Sequence, residues 1–510
     1  LREPARLGGA VSHFHKYIGI SNMDYTRALS LGPLVEDRPI GAGVASRLID
    51  PLSRGTSWLG QWFRSPRFAL IYAVWALPLT IMLAVMVPPF TNADEPFHML
   101  RAVALAHFHV IGKRFDNHCH NCPTGSGGES DMAVFYAFGP LSTLSWLPNQ
   151  PDGQVSASML AASNAVGWQK DATGNVWFGS TAQYPPAFYV PDIAGYWIGR
   201  AAGLRVDATL CLCRCLNALT FVALAALAIA RARRLRPILA ALLMLPMTLA
   251  LAASASQDAG IIATIALIIA QLDRTIAEGR RFTGRELTFM AAGLACVVGA
   301  RPPYLPVLLL LLPAAPGRAG QIAAAAAAAA VGLWCLLIAI YVMVPLGEAN
   351  PSAELASLLH DPASVFVIAA NTLRESGSYA WEFIGKLAWN DRPLPGWFLG
   401  LAGMNLLIAT AASASGFRAG RLVAAGVACS ALLIFAVQLF DWGRPGASQV
   451  VGVQGRYFIP LAIVMALALP RLKVGRLFQI PASAFSICLG LVTPVVMLNH
   501  VLHHFFIRPA

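Results

Sequence analysis

Apolar residues run along this chain in long stretches, broken by short turns rich in Arg, Pro or Gly. The runs fall at 68–88, 208–230, 237–253, 258–274, 286–300, 303–315, 321–345, 397–415, 422–440, 456–470 and 477–499. A helix rises about 1.5 Å per residue and a bilayer core is about 30 Å thick, so roughly 20 apolar residues suffice for a crossing. The pattern predicts an all-α polytopic membrane protein with about eleven transmembrane helices. The run at 303–315 is short for a crossing and follows Arg301-Pro302-Pro303, so 286–315 reads as a tight hairpin.

Segment 186–203 is the ambiguous one. It is apolar enough to approach the bilayer, but Pro191, Asp192 and Gly195 interrupt it. Counted as non-spanning, it leaves the basic loops 231–236, 275–285, 316–320, 416–421 and 471–476 all on one side, the side that Lys and Arg mark as cytoplasmic. We therefore expect an interfacial or partly inserted helix there. The expected layout is a cytoplasmic N-terminal segment 1–67, largely disordered, and a transmembrane module 68–345 that includes a large outer loop 89–207. A second outer loop at 346–396 and a C-terminal transmembrane module 397–510 follow, with a short outer loop at 441–455 inside the latter. The expected location is the bacterial inner membrane, multi-pass, with the active face outward. No cleavable signal peptide is expected, and Met23 reads as the native start with 1–22 an extension.

Composition agrees: 57% of the 510 residues are apolar and only 12% charged, where a soluble chain carries about 25% charged residues. The formal net charge of +12 raises the question of nucleic acid. Clustering of basic residues in short loops between the apolar runs answers it, because that is the pattern of membrane orientation.

Polar residues at the predicted outer ends of the runs carry the candidate chemistry. The first outer loop opens Pro88-Pro89-Phe90-Thr91-Asn92-Ala93-Asp94-Glu95-Pro96-Phe97-His98. Adjacent carboxylates before a proline fit a helix start, with Asp94 or Glu95 as N-cap. They also fit a general base at the membrane surface. Gln257-Asp258, Arg301-Pro302-Pro303-Tyr304, Gln454-Gly455-Arg456-Tyr457 and Tyr184-Pro185-Pro186 fall at the same predicted face. A planar guanidinium suits phosphate oxygens, which makes Arg301 and Arg456 candidates for a lipid phosphate; snorkelling to headgroups is the plainer role for an Arg there. Arg214, inside an apolar run beside Asn217, is another buried candidate for the phosphate role and could equally pair with Asp207 or Asp258. Cys119 and Cys122, flanked by His118 and His120, could bind zinc, but an oxidising outer compartment favours a disulfide. Glu375, Tyr379, Trp381, Glu382, Trp389, Asn390 and Asp391 fit an aromatic belt or a sugar surface.

Five short motifs occur in one order over roughly 70–470: P-P-F-x-x-x-D-E-P-x-H, Y-P-P-x-x-Y, S-x-S-Q-D, R-P-P-Y-L-P and Q-G-R-Y-F-x-P. Together they resemble the bacterial predicted-membrane-protein family called domain of unknown function 2142. Where that family has S-P-D, this chain reads Ser256-Gln257-Asp258. In layout the family is similar to GT-C glycosyltransferases, with many spans and an acidic residue in the first outer loop. The resemblance implies sugar transfer from a polyprenyl-phosphate donor to a glycan or lipid acceptor, with Asp94 as base and Glu95 as the second choice. The candidate substrate and phosphate site comprises His98, Tyr184, Asp258, Arg301, Tyr304 and Arg456. No cofactor is specified; a divalent metal is compatible with such a site. A flippase for lipid-linked glycans and a non-catalytic envelope assembly partner are the rival expectations.

Overall fold

The computed structural model describes residues 67–115, 125–146, 154–169, 173–344, 349–374, 376–389, 392–415, 417–444, 446–470 and 475–507. The expected N-terminal segment (save residue 67), the Cys119/Cys122 pair with its flanking histidines, and Glu375, Asn390 and Asp391 lie outside the described residues.

Each expected apolar run is largely helical in its described part, and among the described residues six helices are long and apolar enough to cross a membrane. These are Phe68–Met86 in α1 (Arg67–Met86), α4 (Val206–Arg231), α7 (Asp258–Glu278), α9 (Arg318–Tyr341), α14 (Gly420–Trp442) and Ala484–Phe505 in α16 (Gly475–Phe505). A seventh crossing arises if the bent pair α10 (Pro351–His360) and α11 (Ser364–Arg374), at 114° to each other, is one broken span. The remaining expected crossings form shorter pieces, for reasons visible in the sequence. Run 237–253 is split at Pro246 into α5 (Arg236–Leu243) and α6 (Pro246–Ala252), because a proline can start a helix but cannot donate inside one. Run 303–315 is mostly a 3-10 helix, Pro302–Leu310, with three prolines that cannot supply α-helical donors. α8 (Gly284–Ala300) has 17 residues and opens on a capping box between Thr283 and Glu286. α13 (Gly396–Ala412) and the pair Gly455–Phe458 with α15 (Ile459–Met465) are also short.

Burial ranks the helices. The apolar window of α7 is 78% buried and that of α9 only 17%. α7 is thus the central post, and α9 turns most of its apolar surface outward, as a lipid-facing helix does. α4 and α7 run parallel, tied at one end through Asn217 to the Ser254 carbonyl and at the other through Arg231 to Gln271.

The large loop after α1 contains α2 (Glu95–Ala106), whose residues are all buried, and α3 (Val190–Ala201). At 12 residues α3 is too short to cross, in keeping with the non-spanning reading. Its Gly195 and Gly199 face α4, where a Cβ would come within 2.7 Å of the Cys213 sulfur and 2.6 Å of the Thr209 hydroxyl. Between α2 and α3 lies a three-stranded antiparallel sheet, β1 (Lys113–Phe115), β2 (Gly125–Asp131) and β3 (Thr173–Trp177). An all-α expectation misses it, because β2 reads Gly-Ser-Gly-Gly-Glu-Ser-Asp with no apolar alternation. Its glycines are there for close approach: a Cβ at Gly127 would sit 1.9 Å from the Val176 carbonyl oxygen.

Candidate functional site

At one end of the bundle five separate segments deliver charged and aromatic side chains to one spot. α1 ends at Met86, and the Pro88–Ala93 turn brings the chain into α2. Phe90 in that turn and Asp94 just after it both have left-handed backbones, φ 62° and 60°. Such a conformation costs a non-glycine residue about 1–3 kcal/mol, although Asp is among the residues that bear it best. Asp94 stands at the N-cap position, but its side chain caps nothing. Instead Oδ2 accepts a hydrogen bond of 2.7 Å from Nη2 of Arg456. The expected side-chain cap is therefore replaced by an ion pair with a residue 362 positions away. The Asp94 side chain keeps 31% of its surface exposed, and Oδ1 takes no hydrogen bond from the described residues.

Arg456 is nearly fully buried, and each of its nitrogens is engaged. Nε donates to Gln454 Oε1 at 2.6 Å, and Nη1 lies 3.5 Å from Asp258 Oδ2. Asp258, the first residue of α7, accepts from Nη2 of Arg301 at 2.6 Å through its other oxygen. The result is an alternating row, Asp94–Arg456–Asp258–Arg301, with formal charge zero. Arg301 sits over the rings of Tyr457 and Tyr184, at 4.6 and 5.6 Å. Its Nε and Nη1 donate no hydrogen bond among the described residues, so it retains donors for an anion. Tyr184 stacks on His98 at 5.9 Å, and His98 Nδ1 shares a 2.6 Å hydrogen bond with the Tyr189 hydroxyl. Burial holds the His98 imidazole down at about 4, so it is neutral at neutral pH. Burial pushes the Tyr184 phenol up to about 12, so it keeps its proton and can donate. The Tyr304 hydroxyl is spent on the Tyr457 carbonyl at 2.6 Å.

Glu95 has a different fate from its neighbour. It is wholly buried and gripped by Arg214, Nε to Oε1 at 2.8 Å and Nη2 to Oε2 at 2.5 Å. Asn92 Nδ2 and the Ala255 backbone N–H also donate to Oε1. Burial alone would raise this carboxyl, but the Arg214 charge and these hydrogen bonds outweigh it and hold the pKa below the ordinary value. Arg214 thus pairs with Glu95, and neither Asp207 nor Asp258 is its partner. Its remaining donors close the end of α1 on the carbonyls of Ala84, Val87 and Pro88.

The supports around the site were less visible in the sequence. Arg101, fully buried in α2, donates twice to the Tyr184 carbonyl, at 2.7 and 3.1 Å, and so fixes that ring over His98. α12 (Ser376–Gly385) backs onto the Arg456 turn, where Glu382 Oε2 accepts from the Gly455 N–H at 2.8 Å. Glu382, expected in a belt or sugar surface, is buried in this role. A narrow cleft beside Asp94 is lined by Asn92, Ala93, Ser254, Lys386 and Arg456. The only advance sign of Arg101 was a charge inside an apolar helical stretch, Met99-Leu100-Arg101-Ala102-Val103.

Residues from all five motifs converge here, and the match extends to the whole family. The sequence profile of the family described as predicted membrane protein (DUF2142) covers residues 77–465. The chain belongs to the DUF2142 family. No curated protein and no solved structure matches it. In this DUF2142 protein the matched region runs from α1 to α15 and takes in the whole charged row. The described residues contain no group of three His, Cys, Asp or Glu side chains placed to hold a metal. In the row itself, the guanidinium of Arg456 lies between the two carboxylates, with Nη2 on Asp94 and Nη1 3.5 Å from Asp258 Oδ2, which takes no hydrogen bond among the described residues. The unspent guanidinium N–H groups of Arg301 suit an anionic ligand.

Proposed function

We propose that this protein is a GT-C type glycosyltransferase. It moves a sugar from a polyprenyl-phosphate-linked donor to a cell-envelope acceptor, at the outward face of the bacterial inner membrane. What carries the reading is the pairing of an accessible carboxylate oxygen on Asp94 with unspent Arg301 donors in one cluster at the end of the helices. The acceptor hydroxyl gives its proton to Asp94 Oδ1 as its oxygen bonds to the anomeric carbon. The bond from that carbon to the lipid phosphate breaks, and the phosphate leaves with the electron pair. Nε and Nη1 of Arg301 take up the charge that develops on the phosphate. The single displacement inverts the anomeric carbon.

In this scheme Arg456 orients Asp94 and Asp258, Tyr184 and His98 shape the donor side, and Tyr304 is a strut. Glu95 serves as the counterion of Arg214, because neither of its oxygens is available to a substrate. The test is to incubate purified protein with radiolabelled polyprenyl-phosphate sugar and an envelope extract. Label moved to acceptor with release of polyprenyl phosphate supports the reading. Intact donor appearing on the far side of proteoliposomes, with no label transferred, replaces it with a flippase.

A further inference from the structure

Buried polar atoms without a partner gather in one part of the molecule. Among the described residues eleven buried side-chain oxygens and nitrogens make no hydrogen bond, and four of them belong to Asp192, Gln257 and Asp258. Asn217 ties this group together. Its Nδ2 donates to Asp192 Oδ1 at 2.7 Å and to the Ser254 carbonyl at 3.1 Å, at the head of the Ser254–Asp258 turn. Gln257 is the extreme case: it is wholly buried, and both Nε2 and Oε1 are unmet. It holds the N-cap position of α7, but its side chain caps nothing. Other groups fix the turn: the Ala255 N–H on Glu95, the Ser254 hydroxyl on the Ser256 hydroxyl, and the Gln257 carbonyl on the Ile261 N–H.

A buried amide without partners weakens a fold, and an apolar side chain of the same shape would not. Gln271, further along α7, shows the ordinary outcome, with Oε1 accepting from Arg231 and Nε2 donating to Glu286. An amide kept at a cost to stability points to a partner met in another state of the protein.

The order of the row identifies that partner. In the transfer described above, the donor phosphate lies on Arg301 and the acceptor hydroxyl on Asp94, at the two ends of the row. The sugar joins them, so it lies along the middle, beside Arg456 and Asp258, and Gln257 directly precedes Asp258. A sugar hydroxyl both donates and accepts, which matches an amide with both functions unspent. We propose that Gln257 reads the sugar of the lipid-linked donor and sets which sugar is used. Asp258 Oδ2, also unmet, accepts a second hydroxyl. The Arg456–Asp258 contact, at 3.5 Å the longest link of the row, opens to let the turn present the amide. The proposal rests on the glycosyl-transfer reading of the row.

The test uses full-length protein in detergent, native mass spectrometry and thermal melting. The probes are bare undecaprenyl phosphate and the same lipid carrying glucose, N-acetylglucosamine or arabinose. Unmodified protein is expected to prefer one of these sugars about tenfold or more over another. Gln257→Met keeps the shape and removes both hydrogen-bonding functions. It should melt no lower than unmodified protein, bind the bare lipid within about twofold, and reduce the sugar preference to about twofold or less. Gln271→Met, which strips an amide already in use, should melt lower and keep the preference. A retained preference in Gln257→Met overturns the proposal, and so does an equal loss of the bare lipid. Lower melting or failure to fold of Gln257→Met also overturns it, because the amide then has a partner at rest. Unmodified protein that binds the bare lipid but does not distinguish the sugars sinks this proposal alone. Unmodified protein that binds none of the probes sinks the underlying reading as well.

Discussion

Glu95→Gln should destabilise the fold by about 3 kcal/mol, and that cost identifies Glu95 as a structural ion. The substitution keeps size and shape but removes the charge that balances Arg214, whose side chain is only 2% exposed. Stripping the partner from a buried pair typically costs about 3–5 kcal/mol, because the remaining charge stays desolvated. Three bonds from Arg214 to the Ala84, Val87 and Pro88 carbonyls survive and place the expectation at the lower end. That is a large fraction of a typical stability of about 5–15 kcal/mol. Asn92→Ala, which removes one neighbouring hydrogen bond, should cost about 1 kcal/mol. Arg214→Met with Glu95→Leu should not restore the fold fully, since the end of α1 then loses its donors. The assay is unfolding of the purified protein by SDS in mixed micelles, followed by tryptophan fluorescence. A Glu95→Gln midpoint equivalent to a change within about 0.5 kcal/mol would refute the argument, since that is the range of an ordinary surface substitution.

Arg301→Lys keeps the charge but loses the fork and the ring stacking, so polyprenyl-phosphate binding should fall about tenfold with the melting temperature nearly unchanged; unchanged binding removes Arg301 from the phosphate site. Gly455→Ala places a Cβ 2.0 Å from the Tyr379 carbonyl oxygen and 2.5 Å from the Phe383 nitrogen, which must push α12 off the Arg456 turn. A loss of about 1–3 kcal/mol is expected, measured by the same unfolding assay, and wild-type stability would deny the close contact. His98 is held at about 4 in the folded protein against about 6.5 when unfolded, so the unfolded chain binds the extra proton. Its contribution to stability is complete above pH 6.5 and is lost as pH falls towards 4, up to about 3 kcal/mol. The difference in melting between the protein and His98→Gln should follow that window, and parallel curves would contradict it.

The helices were readable because an apolar run long enough to cross can do little else. Where the run held Pro246 or the Pro302-Pro303-Pro306 group, the same reading overstated the helix. The site was readable as a set of motif residues at helix ends, and Asp94, Asp258, Arg301 and Arg456 do meet in a row. Their partners were not readable. The helix-start signature of Asp94-Glu95-Pro96 fitted a side-chain cap, yet Arg456 won the Asp94 carboxylate once folding brought it near. Asp94 and Glu95 look equivalent in sequence; only the fold turns one outward and seals the other against Arg214. The bend between α10 and α11 and the glycine-rich β2 carry no periodic signal of their own.

The central claim is that Asp94 takes the acceptor's proton, and Asp94→Asn tests it most directly. Asn tolerates the left-handed backbone at this position and can still accept from Arg456, which keeps the Asp258 carboxylate beside it, so the variant should fold at a smaller cost than Glu95→Gln and still bind donor. It cannot take up a proton. Transfer from polyprenyl-phosphate sugar is therefore expected to fall by about 10²–10⁴-fold at unchanged donor affinity. Transfer at the wild-type rate by folded Asp94→Asn protein would contradict the account.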